Sequence, residues 1–440
     1  MSNIILPPPN KKKLYLSGSI IVLLTMVFLG YFLIQLANIK KDTPSAVYGI
    51  DFIAYYTAAQ QIEAGEASEI YTEITGDFSV ADKGKFFETA RKSGFHLTPT
   101  RYVYLPIFLV PFTLLTKFSF PVATTLWLIL NLFAVITIIF LEWSFTKDLP
   151  HPILRLMVII FFNLSSFPLL YALKLGQTSI IVYLLICLIY WLTLKNRDIP
   201  AGILLGLITA LKYSPLLFIL YFFYRRRYTL VILSLLTALS LLVLSIALYG
   251  LPLHTIYWDY IRELSHIGIA AWSNQSLDAF LLRLFTKTHI LHFDPLKAPL
   301  LISIIRYTIT LSVLGIVYLC LRGGKRSHDN QLYSLEFSAL TLSFLIIPTI
   351  SWLHYFTLVN LAIILISTTY FHLHLYRIWL IIFLMFIGYA MIAFHPNYAF
   401  MIELFGQGYV TRLLTSLPLI GTCLLLCINL ALYRNTSIYR

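Results

Sequence analysis

The chain has 440 residues, 59% of them hydrophobic and only 12% charged, and its mean hydropathy is +0.82. A water-soluble fold of this length could not cover its exterior with so few polar side chains, so lipid must be the solvent for much of the surface. The net charge of +13 comes without any basic run interleaved with exposed aromatics, which points to loops facing anionic lipid and speaks against nucleic acid as a partner.

From the N-terminus, Pro7 to Lys13 leads into an apolar run that reaches about Ile39. The run is too long for the core of a signal peptide and has no small-residue cleavage site at its end, so it predicts an uncleaved first span. Further spans are expected near 102–118, 121–145, 152–172, 177–194, 200–224, 228–249, 299–321, 332–349, 355–371, 375–394 and 409–431, about twelve in all with the first at 14–37. The fold class is therefore an all-α polytopic membrane protein, one domain over residues 1–440.

Basic residues in short loops set the orientation. Lys11 to Lys13, Arg225 to Arg227, Arg322 with Lys325 and Arg326, and Arg377 assign both termini to the cytoplasm. The loops 38–101 and 250–298 then face outward. Lys195 and Arg197 break the rule on this count. They return to the cytoplasmic side if 200–224 is two half-helices folding back at Lys212 to Pro215, with a compensating break around Ser166 to Gln177. The four cysteines, Cys187, Cys320, Cys423 and Cys427, fall in or beside apolar runs and read as core residues.

The first outer loop holds nine of the nineteen acidic residues, from Asp42 to Glu88. Within it, Asp51 to Gly65 reads as a helix with Asp at its N-cap and Gly just past its end. Position alone favours capping for Asp51, but a carboxylate at the outer membrane face is also placed to act as a general base on a hydroxyl. Tyr104 before Pro106 reads as part of an interfacial aromatic belt. Lys212 is a cation inside an apolar stretch, a position that calls for a cavity, an anion or an interface to snorkel to. In the second outer loop, Asn274-Gln275-Ser276 precedes Arg283, with Arg262 upstream on a segment that also reads as a solvated interfacial helix. Ser351-Trp352-Leu353-His354-Tyr355 lies at an outer helix junction, where His354 alone reads as a satisfied polar residue.

The order of these elements is more specific than any one of them. The run Asp51-Phe52 with Tyr55-Tyr56 and Ala58-Ala59, then Tyr104 with Pro106, Trp127 with Asn131, Gly176-Gln177, and Gly202, Gly206, Lys212 and Pro215, resembles glycosyltransferase family 87. Asn274-Gln275-Ser276-Leu277, Arg283 and Trp352 with His354-Tyr355 complete a resemblance covering roughly residues 48–360. The sequence departs from the family pattern at Leu105, at Leu353 and in the longer step from Gly65 to Tyr71.

The resemblance implies a GT-C fold and an enzyme that takes a sugar, usually mannose, from a polyprenyl phosphate. It makes Asp51 the catalytic base and sets His354 by the donor phosphate or the reacting hydroxyl. Lys212, Arg262, Arg283, Tyr55, Tyr104, Gln177, Asn274 and Gln275 become candidates for binding donor phosphate or substrate. No metal or cofactor beyond the polyprenyl-phosphate sugar is expected. The expected partners are membrane lipid, that donor and a lipid- or glycan-borne acceptor, with the active site on the outer face of the plasma membrane. A lipid-linked sugar transporter or a non-catalytic scaffold of surface-glycan assembly are the alternatives. The chain shows none of the internal symmetry common in transporters.

Overall fold

The computed structural model describes residues 11–38, 49–74, 77, 79–212, 214–321, 329–370, 378–394, 396 and 398–438. In chain order the helices are α1 (Lys11–Asn38), α2 (Phe52–Glu63), α3 (Gly84–Lys92), α4 (Val110–Leu115), α5 (Phe120–Phe145), α6 (Pro152–Leu164) and α7 (Phe167–Leu175). Next come α8 (Ser179–Leu194), α9 (Asp198–Leu211), α10 (Leu216–Tyr224), α11 (Tyr228–Tyr249), α12 (Leu251–Ser265), α13 (Leu277–Phe285) and α14 (Leu300–Leu321). The last are α15 (Asn330–Ile346), α16 (Val359–Tyr370), α17 (Ile378–Ala393), α18 (Tyr398–Phe405), α19 (Tyr409–Thr415) and α20 (Leu417–Ile438). Short 3₁₀ turns, Pro106–Leu109 and Leu353–Leu358, lead into α4 and α16. Among the described residues there is no β-strand, only three isolated antiparallel bridges.

Five helices, α1, α5, α11, α14 and α20, are long and apolar enough to cross a bilayer, and up to seven spans result if two bent pairs each count as one. This is the make-up of a multi-pass membrane protein. Peripheral helices turn bulky apolar side chains outward: Leu23 on α1 is 65% exposed, Leu239 on α11 56% and Leu311 on α14 68%. In water such surfaces would associate; against acyl chains they need no cover. Inside, α9 and α11 pack backbone to backbone, because a Cβ on Gly202 would lie 2.7 Å from the Leu230 carbonyl oxygen. Buried carboxylates are hydrogen-bonded, as their desolvation requires: Glu142 accepts from Tyr183 and from Asn163 (2.7 Å). All four cysteines are free, and Cys427 is exposed at the helix surface rather than in the core.

The bundle has two distinguishable ends. At one, the segments around Asp51, Thr100 to Tyr104, Leu175 to Gln177, Trp272-Ser273 and Trp352 to Tyr355 surround a single cavity. At the other, Ser144 to Leu149, Tyr190 to Lys195 and Asp329 to Gln331 border a second cavity. There Arg227 ion-pairs with Asp198, and Arg225 lies 3.3 Å from Glu336.

Two expected spans are built differently. The segment 102–118 is not one continuous helix: only Pro106–Leu115 is helical, and the Ile107 N–H donates to Ser245 Oγ (3.1 Å) in the last turns of α11. Pro106 disfavours helix at Leu105, and Pro111 withdraws another backbone donor. The segment 200–224 is a hairpin. Lys212 is extended (φ −147°, ψ 140°) and Pro215 is the N-cap of α10, so the chain returns until Arg227 meets Asp198 at the start of α9. Arg227 also donates to the Thr193 carbonyl (3.0 Å), so Lys195 and Arg197 lie at the same end as Arg225 to Arg227. The expected break at Ser166 is present as a 56° bend between α6 and α7, and the chain reverses only at Gly176. Asp42, Arg322, Lys325, Arg326 and Arg377, used in the sequence argument, lie outside the described residues.

Candidate active site

Asp51 occupies the N-cap position of α2 but makes no capping bond. Its Oδ2 instead accepts from Gln177 Nε2 at 2.7 Å. Local geometry forces this pairing. The N–H groups of Gly49 and Asp51 donate to the carbonyls of Lys174 and Leu175 (2.9 and 3.0 Å), lacing the start of α2 to the end of α7. Gly176 stands in the left-handed region (φ +71°), and a Cβ there would lie 2.7 Å from Phe52 Cβ, so only glycine fits. Trp127 Nε1–H donates to the Gly176 carbonyl (2.8 Å) while its ring stacks on Phe52 at 5.9 Å. Asp51-Phe52, Trp127 and Gly176-Gln177 are thus one interlocked unit.

A second unit presents His354. Asn274 Oδ1 accepts from the N–H of Ser351 (3.0 Å) and of Ser276 (3.2 Å), and Asn274 Nδ2 donates to the Ile269 carbonyl (2.9 Å). The Gln275 N–H donates to the Ser351 carbonyl, and the Leu353 N–H to the Ser273 carbonyl, both at 2.7 Å. This short antiparallel pairing aims the next residue, His354, at the cavity. Its Nδ1 has no hydrogen-bond partner among the described residues, and its ring stands edge-on to Tyr355 at 4.2 Å.

The two units face each other across a cavity of about 280 Å³. Asp51, Tyr55, Tyr104, Gln177, His354 and Tyr355 line it, together with Arg101, Tyr171 and Trp272. Lys212, at the α9–α10 turn, stands behind this wall with its ammonium 3.3 Å from the Tyr355 ring centroid and 5.8 Å from that of Tyr104. It too has no hydrogen-bond partner among the described residues. Burial pushes the Asp51 carboxyl up to about 6, opposed by hydrogen bonds from Gln177 and Thr100 and by the Lys212 charge. Such a group is ionised at neutral pH yet basic enough to take a proton.

The sequence model of glycosyltransferase family 87 matches residues 102–348. This is more than half of the chain. The protein belongs to glycosyltransferase family 87. No curated protein and no solved structure gives a match. The matched stretch contains Tyr104, Gln177, Lys212, Asn274, Gln275 and Arg283, and ends short of Asp51 on one side and His354 on the other.

Four of the expected binding residues of this family 87 protein lie away from the cavity. Arg262 is 75% exposed at its side chain and pairs with Asp259 (3.1 Å), the solvated helix face that its sequence context also allowed. Arg283 is fully buried, its guanidinium donating to the carbonyls of Ala271 (3.0 Å) and Asn274 (2.8 Å) and to Ser416 Oγ (3.1 Å). Gln275 Nε2 donates to the carbonyls of Trp272 and Thr415 (2.6 and 2.8 Å). Asn274 is buried in the pairing described above. These side chains hold main chain rather than line the cavity.

Conversely, Arg101 was missed. It lines the cavity wall, and its Nη1 donates to Thr72 Oγ1 (2.7 Å) and the Glu73 carbonyl (2.5 Å). Its position directly before the Tyr102-Val103-Tyr104 element was the available signal. Tyr171, Trp272 and Phe293 carried none, since each looks like an ordinary aromatic in an apolar or loop context.

Proposed function

We propose that this glycosyltransferase moves a hexose, mannose by family resemblance, from a polyprenyl phosphate to a lipid- or glycan-borne hydroxyl on the outer face of the plasma membrane. The observation that carries the reading is that Asp51 and His354, far apart in the chain, line one cavity with the Lys212 ammonium beside it. Transfer is a single inverting displacement. The acceptor hydroxyl approaches Asp51, gives it its proton and attacks the anomeric carbon, while the anomeric C–O bond breaks and its electron pair leaves with the lipid phosphate. Lys212, His354 and Arg101 are the nearby groups able to stabilise that departing charge. No step calls for a nucleotide or a metal.

The outward placement of the site is supported by charge. Lys195, Arg197 and Arg225 to Arg227 gather at the end of the bundle opposite the cavity, where the positive-inside rule expects the cytoplasm. With α9 and α10 counted as separate crossings and 102–118 as none, twelve passes and two cytoplasmic termini follow, and a GT-C architecture with interfacial helices in its first outer loop accommodates them.

The test uses membranes from cells lacking the gene, supplied with the protein or its Asp51→Asn variant and with radiolabelled polyprenyl-phosphate mannose. Incorporation into lipid-extractable and insoluble glycan should fall by about 10²- to 10⁴-fold in the variant with unchanged protein yield. Undiminished incorporation would remove Asp51 as the base.

A further inference from the structure

The amide of Gln177 has an assigned direction. Its Nε2 faces Asp51 Oδ2 at 2.7 Å. Its Oε1 receives two donors, the Tyr55 hydroxyl at 3.0 Å and the Thr178 N–H at 3.3 Å. The reverse orientation would set a carbonyl oxygen against the Asp51 carboxylate and an NH₂ group against the Thr178 N–H, two repulsive contacts at once. A backbone N–H can only donate. The Tyr55 hydroxyl, kept well above its ordinary titration range by burial, stays protonated and can donate as well.

We infer that Tyr55 and Gln177 are positioning residues for the base: the Tyr55 hydroxyl and the Thr178 N–H fix the Gln177 amide so that it holds Asp51 Oδ2 and keeps the carboxylate turned to the cavity, where it takes the acceptor proton. Neither residue then needs to bind donor phosphate or substrate, the role their family positions suggested. The relay sets two properties. It fixes the rotamer of the carboxylate, because α2 and the α7–α8 turn are already laced together on either side of it. It also keeps the carboxylate ionised in a buried setting, since a hydrogen bond to the charged form opposes desolvation. The other titratable and charged groups facing this carboxyl are Tyr104, Tyr171, Tyr355, Arg101 and His354 around the cavity and Lys212 behind it, and the Thr100 hydroxyl also hydrogen-bonds it. Tyr104 also shares a hydrogen bond with the Tyr55 hydroxyl.

The inference rests on Asp51 being the base, and the experiment separates the two. Tyr55→Phe removes one hydroxyl without changing shape, and Gln177→Glu replaces the donating amide by an isosteric carboxyl. Mannose transfer from radiolabelled polyprenyl-phosphate mannose would be followed against pH in the null-strain membranes. In parallel, infrared titration of the purified protein would follow the carboxyl band that disappears in Asp51→Asn. In Gln177→Glu, two carboxyls must share a proton, so the acid limb of the rate and the infrared midpoint should both move up by about one pH unit or more. In Tyr55→Phe both should move the same way by less, with kcat down about fivefold to twentyfold and KM for the donor unchanged. Unmoved midpoints with a raised KM would instead make these residues substrate binders and overturn the relay. If Asp51→Asn retains transfer while the infrared midpoints still move, the relay stands and the catalytic reading falls. Should Gln177→Glu fail to accumulate, Tyr55→Phe decides alone.

Discussion

Two parts of the outer region carry family-type polar residues, and they use them in opposite ways. Around Asp51, polar groups face open space: the carboxylate, held by Gln177 and Thr100, lines the cavity, and His354 Nδ1, unbonded among the described residues, lines it too. Around Arg283, most of the donors are spent on the chain itself: carbonyls of the 270–274 segment and the Ser416 hydroxyl at the α19–α20 junction gather onto one guanidinium, with Nη2 alone of its nitrogens lacking a partner among the described residues. The first arrangement leaves interaction capacity for a ligand. The second uses it to hold an irregular loop in shape where no regular backbone ladder does. A polar motif residue is therefore evidence of constraint, and only its surroundings tell whether the constraint is chemical or architectural.

Substitutions can break that contrast. The largest effect should come from Arg283→Ala. It strands several buried carbonyls at about 1 kcal/mol or more each, so folded protein in a fluorescence size-exclusion assay should drop sharply, with activity lost in proportion. Normal yield with selectively lost transfer would move Arg283 to the chemical side. His354→Ala should do the reverse, lowering transfer by roughly tenfold to a hundredfold while the thermal midpoint stays within a few degrees. A third check needs no substitution. With Asp51 near 6, transfer should fall as pH drops through that value, approaching about tenfold per pH unit below it, because only the ionised carboxylate accepts the proton. A flat rate between pH 7 and 5 would argue against a single essential base of this kind. The smallest effect is expected for Arg262→Ala, whose exposed pair with Asp259 adds roughly 1 kcal/mol or less. Yield and transfer should match the parent chain, and a marked loss of transfer would place α12 in substrate contact.

Composition and the spacing of apolar runs were enough to establish a multi-pass helical membrane protein, because a bilayer demands long apolar segments whatever their packing. They also located α1, α5, α11, α14 and α20, and the order of short motifs identified the family. The helix α2 was readable from Asp51 and Gly65, though not the fate of the Asp51 side chain, since capping and pairing with Gln177 look alike until α7 is placed beside α2. Hydropathy likewise scored 102–118 and 200–224 as comparable apolar runs. Where Pro106 and Pro215 turned the chain depended on partners distant in sequence, Ser245 for one and Asp198 with Arg227 for the other. The division of polar residues between cavity and scaffold was decided only by tertiary structure. Burial, the free atoms of His354 and Lys212, and the carbonyls around Arg283 are relations between segments, and no single segment carries them.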